Sequence, residues 1–202
     1  MPTQTIPILQ AELDALTEVC NIGMGHAATA LSQLMGKSVS IEVPRLLVLE
    51  PASLAELLDA QEVAGLHLQI LGNVRGSILI LLRQENARRI LELLLGKLPE
   101  PGLPLSELEG STLKELGNIL ASACLNALGT MLKMTLLPSV PVLECGAAGE
   151  VLARTLGLPP GGETILMIDT MFSIADAPSS GSIFLIPAAA SLGVILSSIG
   201  AR

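Results

Sequence analysis

The sequence predicts an α+β protein with internal pseudo-twofold symmetry: one antiparallel sheet with two long helices packed on it. Three observations predict this. Residues 14–44 and 111–141 align without a gap at a constant offset of 97, so that Leu16 falls on Leu113, Glu18 on Glu115, Asn21 on Asn118, Leu31 on Leu128 and Pro44 on Pro141. Gly76-Ser77-Ile78 and Gly181-Ser182-Ile183 then each open an apolar run that leads into a helix ending near a glycine, Gly96 or Gly200. Finally, 202 residues of which 50% are hydrophobic suffice for one core shared by both copies, whereas a single copy buries too little surface to stand alone.

The elements follow in chain order. Residues 10–35 carry Leu13, Leu16, Cys20, Ala27, Leu31 and Leu34 at helical spacing. Residues 38–49 are rich in Val and Ile and read as a strand, and Pro44 inside it predicts an edge or a bulge because proline cannot donate to the ladder. A short helix is expected near 52–60. The runs EVAGLHLQIL and SILILL flank a turn at Gly72-Asn73 and predict a hairpin, followed by a helix over 84–96. The second copy predicts helix 109–133, strand 134–143, helix 147–156, strands 163–174 and 182–186, and helix 188–199. The segment PEPGLPLS (99–106) joins the repeats, since its prolines cannot continue a helix. The chain thus reads as a single domain made of repeats over about 8–98 and 107–200.

Composition excludes several functions. Eleven Lys and Arg against 19 Asp and Glu give a net charge of −8, which repels phosphate backbones and anionic lipid heads. With no Trp, no Tyr and two Phe, the chain lacks the aromatic platforms on which single strands stack. Nucleic acid is therefore not an expected partner. Cys20, Cys124 and Cys145 form no CxxC pair, and with His26 and His67 they make no recognisable zinc site. Unpaired thiols and the absence of a basic, apolar leader place the chain in the cytoplasm. A mean hydropathy of +0.64 raises the question of a membrane span over the uncharged stretch 177–201. Pro178, Gly181, Pro187 and six serines break that stretch into a strand and a short helix, so no span is expected.

The chemistry is carried by a spaced pattern. Asp14, Glu18 and Asn21 fall on one face of the first long helix, and Ser111, Glu115 and Asn118 repeat that face on the second. In each copy 22 residues separate the Asn from a Pro, Pro44 or Pro141. A Glu-x-x-Asn triplet alone carries no information, but the full spacing arises by chance in well under about 1% of chains of this length. Here it occurs twice. Gly23 and Gly25 follow Asn21 and weaken the helix by roughly 1 kcal/mol each relative to Ala, which predicts that another surface approaches the backbone there.

This pattern resembles the signature of the CheC/CheX/FliY phosphatases of bacterial and archaeal chemotaxis, and the two complete copies with little else look most like CheC. The resemblance implies an enzyme that removes phosphate from the aspartyl phosphate of a CheY-type response regulator. It implies Glu18, Asn21, Glu115 and Asn118 as catalytic residues, each Asn orienting a water and each Glu docking on the regulator's lysine. Asp14, Ser111, Pro44 and Pro141 would support the motif, Asp14 and Ser111 at the helix start or the rim of contact. No cofactor of its own is implied, Mg²⁺ being expected in the regulator, and a CheD-type receptor deamidase is a second implied partner.

The other candidates are weaker. His26 lies five residues after Asn21, but Ala123 takes its place in the second copy, and His67 sits in a strand. Cys20 precedes Asn21, yet its counterpart is Gly117, so the chemistry does not need a thiol. The alternative function is a non-catalytic binding module, either a FliM/FliN-related switch component or a silent CheC, that docks a regulator or the deamidase.

Overall fold

The structure, a computed structural model, describes residues 8–49, 61–97, 99, 104–156, 165–174 and 177–200. The chain begins with α1 (Gln10–Met35) and β1 (Val39–Leu49), followed by the hairpin β2 (Glu62–Gly72) and β3 (Gly76–Arg83) and by α2 (Gln84–Leu95). The second half runs α3 (Glu107–Leu132), β4 (Leu136–Pro138), β5 (Val142–Ala147), α4 (Ala148–Leu156), β6 (Ile165–Ile174), β7 (Ala177–Pro187) and α5 (Ala189–Gly200). The expected helix near 52–60 and most of the 99–106 connector lie outside the described residues.

The long helices begin and end at matching points. At α1 the Glu12 carboxylate accepts the Leu9 N–H at 2.8 Å. At α3 Ser106 and Glu109 cap each other reciprocally: the Glu109 carboxylate accepts the Ser106 N–H at 2.7 Å, and the Ser106 hydroxyl accepts the Glu109 N–H at 3.4 Å. Each helix stops at a residue in the left-handed region, Gly36 (φ 61°) in the first copy and Lys133 (φ 56°) at the equivalent position of the second. Leu16, Cys20, Ala27 and Leu31 of α1 are buried as its periodicity predicts, together with Val19, Met24 and Ala28. Leu34 is 59% exposed, and Met35, four residues after Leu31, packs against the core in its place.

All seven strands form one antiparallel sheet in the order β1-β6-β7-β3-β2-β4, with β5 continuing beyond β4 along β2. The order interleaves the halves. At the central seam between β3 and β7, Leu79 lies opposite Phe184, and these two occupy the same position in the repeat. A pseudo-dyad therefore passes through this pair, perpendicular to the sheet, and it sets α1 and α3 side by side and antiparallel.

Side chains alternate across the strands and supply two cores. On one face Leu66, Leu68, Ile78, Ile80 and Leu185 pack against Leu16, Cys20 and Met24 of α1 and against Leu113, Leu120 and Leu128 of α3. On the other, Val63, Leu79, Leu81, Met167 and Phe184 pack against Ala148, Val151 and Leu152 of α4. Among the described residues no helix is long and apolar enough to cross a membrane, and residues 177–200 form β7 followed by α5.

The two motif prolines act alike. Pro44 lies in β1, an edge strand, where the register shifts between Glu42 and Arg45: Glu42 faces Met171 and Arg45 faces Asp169, leaving Val43 and Pro44 opposite Thr170 alone. That is a β-bulge. In the second copy the expected single strand 134–143 is instead two strands. Pro138 faces Ile70 and Val142 faces His67, so that residues 139–141, ending in Pro141, stand opposite only two partners. Pro44 thus sits in a bulge and Pro141 at the end of a break, where the missing N–H of proline is tolerated.

Candidate functional site

The site is built on the solvent side of the two long helices. Their sheet-facing stripes fix each helix's rotation, and that rotation delivers Asp14, Glu18 and Asn21 of α1, and Ser111 and Glu115 of α3, to the surface as exposed side chains. Asn118 is half-buried. Each Asn lies three positions after its Glu, so each pair sits about 4.5 Å apart along the axis on one face. Asp14 accepts a hydrogen bond from Gln10 Nε2 at 2.8 Å. Since α1 starts at Gln10 and α3 at Glu107, Asp14 and Ser111 lie one turn inside their helices. The role at the helix start belongs to Glu12 and Ser106, not to them.

The two amides differ in what they touch. Asn21 binds the backbone of Val43 twice: its Oδ1 accepts the Val43 N–H at 3.1 Å and its Nδ2 donates to the Val43 carbonyl at 3.4 Å. Val43 is the residue before Pro44, inside the β1 bulge, where the register skips from Glu42 to Arg45. In the second copy the break is held differently. Ser139 donates its N–H to the Gln69 carbonyl at 2.9 Å, and its hydroxyl accepts the Gln69 N–H at 2.9 Å. Val140, the counterpart of Val43, is 82% exposed. Among the described residues no hydrogen bond engages the Asn118 amide.

Val43 and Ser139 are the residues that a reading of the sequence misses. The signal for Val43 was present in the fixed distance from Asn to Pro, but the distance alone does not say that the amide grips the strand.

A cleft of about 890 Å³ runs between α1 and α3, with Glu18, Ile22 and His26 on one wall and Asn118, Ile119 and Ser122 on the other. Cys20 lies beneath this surface and is buried against Cys124 of α3. The hydrogen bond to Cys124, then burial, hold the Cys20 thiol well above its ordinary range, so it stays protonated. His67 stands apart from the helices on the α4 face of β2, and burial lowers its pKa. Among the described residues no group of three or more His, Cys, Asp or Glu side chains is placed to hold a metal ion.

Residues 12–48 and 108–144 match the model of the CheC-like family, and these two segments contain every position of both motif copies. Over 171 residues the chain is 33% identical to the CheY-P phosphatase CheC of Bacillus subtilis (strain 168), across 81% of this chain and 80% of that relative. The chain belongs to the CheC-like family.

This CheC-like chain shares its fold with the crystal structure of Thermotoga maritima FliY, at a TM-score of 0.79 and 19% identity, over 96% of this chain and 98% of that one. The FliM middle domain from H. pylori superposes with a TM-score of 0.70 at 14% identity, over 95% of this chain and 99% of that one. These two likenesses are of fold. In this CheC-like chain the paired long helices carry Glu18, Asn21 and Glu115 as exposed side chains and Asn118 as a half-buried one.

Proposed function

We propose that this protein hydrolyses the aspartyl phosphate of a CheY-type response regulator in the cytoplasm. The observation that carries the reading is an acid and an amide one turn apart on the solvent side of each long helix, Glu18 with Asn21 and Glu115 with the half-buried Asn118, in a chain 33% identical to a CheY-P phosphatase. An acyl phosphate is already reactive, and the regulator brings the phosphoryl group, its lysine and the Mg²⁺ that neutralises developing charge. What hydrolysis lacks is a water held in line with the breaking P–O bond. A carboxamide holds such a water without becoming covalent, as a glutamine does in GTPases, and fixing the geometry is itself a large source of rate.

In this reading Glu115 accepts a charge-assisted hydrogen bond from the regulator's lysine and sets the register of docking. Asn118, one turn on, orients the water. The water's oxygen bonds to phosphorus as the aspartyl oxygen leaves, giving inorganic phosphate and a free carboxylate. Glu18 and Asn21 have the same spacing on α1.

The test is a decay assay. Regulator phosphorylated with acetyl phosphate in Mg²⁺ is mixed with wild type, with Asn118→Ala, and with the double variant Asn21→Ala/Asn118→Ala. Wild type is expected to accelerate loss of phosphate, and the double variant to do so at least roughly tenfold less while still binding the regulator. A double variant as fast as wild type rules out amide-assisted hydrolysis, and binding without any acceleration by wild type makes the protein a docking module.

A further inference from the structure

We propose that the two motif asparagines have different jobs: Asn21 is a latch that holds the bulge of β1 in place, and turnover rests on Asn118. The proposal builds on the phosphatase reading above and divides it between the copies.

The division follows from where backbone polar groups find partners. Val43 has a buried side chain in an edge strand, and it lies within the bulge at Pro44, outside the paired register. Buried or half-buried backbone groups need partners, and Asn21 supplies both. The second copy does not call on its asparagine in this way. Where the first copy has Glu42, the second has Ser139, whose short hydroxyl can bond neighbouring backbone. Ser139 ties the break to Gln69 of β2 through its N–H and its hydroxyl. Val140 is left in water, 82% exposed, and asks nothing of Asn118.

One substitution between repeats, Glu42 against Ser139, thus frees one amide and commits the other. Asn21 retains a second Nδ2 hydrogen and a second lone pair on Oδ1. Its amide plane, however, is fixed by β1 and not by the partner's phosphoryl group. To serve as Asn118 does, it must first leave Val43, and with two hydrogen bonds to break the released form is on the order of a tenth of molecules or fewer.

The experiment measures hydrolysis and structure separately, on the full-length protein. Asn118→Ala is expected to lose at least roughly tenfold in rate with its Tm within about a degree of wild type. Asn21→Ala is expected to lose about 2–8 °C in Tm and to keep more than roughly half the rate per folded molecule. Hydrogen exchange followed by NMR is expected to show the Val43 amide protected in wild type and exposed in Asn21→Ala. The proposal is overturned if Asn118→Ala retains wild-type hydrolysis, if Asn21→Ala loses its rate with Tm unchanged, or if the wild-type Val43 amide exchanges freely. Should Asn21→Ala fail to fold, Asn118→Ala and wild-type exchange decide between the outcomes. Should wild type hydrolyse no regulator, the phosphatase reading fails, while exchange at Val43 still judges the latch.

Discussion

Gly23 of α1 lies so close to Cys124 of α3 that a Cβ on the glycine would stand 3.2 Å from the Cys124 Cα, 3.0 Å from the Ala123 carbonyl oxygen and 3.0 Å from the Ala127 Cβ. The surface that a glycine here admits is therefore the other long helix of the same molecule. Gly25, two residues on, has nothing within 4 Å of its virtual Cβ.

The two glycines therefore respond in opposite senses to the same change. Gly23→Ala forces α1 and α3 apart where Gly23 meets Ala123, Cys124 and Ala127, an overpacking cost of about 1–3 kcal/mol that outweighs a gain in helix propensity of up to about 1 kcal/mol. Gly25→Ala gains the propensity alone and is expected to stabilise by about 1 kcal/mol. Thermal melts check both, at roughly 2–4 °C per kcal/mol for a chain of this size. A rise in Tm for Gly23→Ala shows that the helix crossing is looser than described.

Lys133 ends α3 in the left-handed region (φ 56°), where the first copy has Gly36 (φ 61°). An L-residue pays about 1–2 kcal/mol for that conformation, and glycine returns about 0.5–1 kcal/mol of it to the entropy of the unfolded chain. Lys133→Gly is expected to raise stability by roughly 0.5–1 kcal/mol. Lys133→Ala, which keeps a Cβ, leaves it within about 0.5 kcal/mol. Urea unfolding midpoints distinguish the two.

The Nε2 of His67 is buried and has no hydrogen-bond partner among the described residues, and burial lowers the group's pKa from the usual 6.5. With the folded value below the unfolded one, the unfolded chain takes up the proton first. The stability tied to a neutral His67 is therefore complete above pH 6.5 and is lost as pH falls through that value toward the lower folded one. Wild type is expected to lose stability between pH 7.5 and pH 5.5, a window set around 6.5, and His67→Leu to flatten that part of the curve. An unchanged slope in His67→Leu assigns the pH dependence to other groups.

The fold was legible where its causes are local or repeated. The aliphatic stripes of α1 and α3, the hairpin at Gly72 and Asn73, and the bulge at Pro44 all follow from residue type and spacing, and the structure holds each of them. What could not be read depends on contacts between distant residues. Asn73, read as turn chemistry, also accepts the Thr135 N–H at 2.8 Å across the repeats. The division of the second copy's strand into β4 and β5 depends on how Ser139 meets Gln69, 70 residues away.

The site was legible to the same degree. Helical spacing placed Glu18, Asn21 and Glu115 on the surface, because rotation about a helix axis is fixed by the stripe on its opposite side. The same spacing left Asn118 half-buried and gave no hint that Asn21 is occupied by Val43. Two glycines of identical chemistry, Gly23 and Gly25, likewise met different surroundings that only the packing of α3 separates.

The interleaved strand order also governs how the molecule comes apart. Among the described residues β1 has no strand neighbour in its own half, only β6; β4 and β5 lean solely on β2; and the middle of the sheet is a suture of β3 to β7. Neither half completes the sheet alone, so damage in one is expected to spread to the other and the chain to melt as a unit. A truncation that spares either repeat is expected to leave a ribbon with bare flanks, ready to zip onto its own copies.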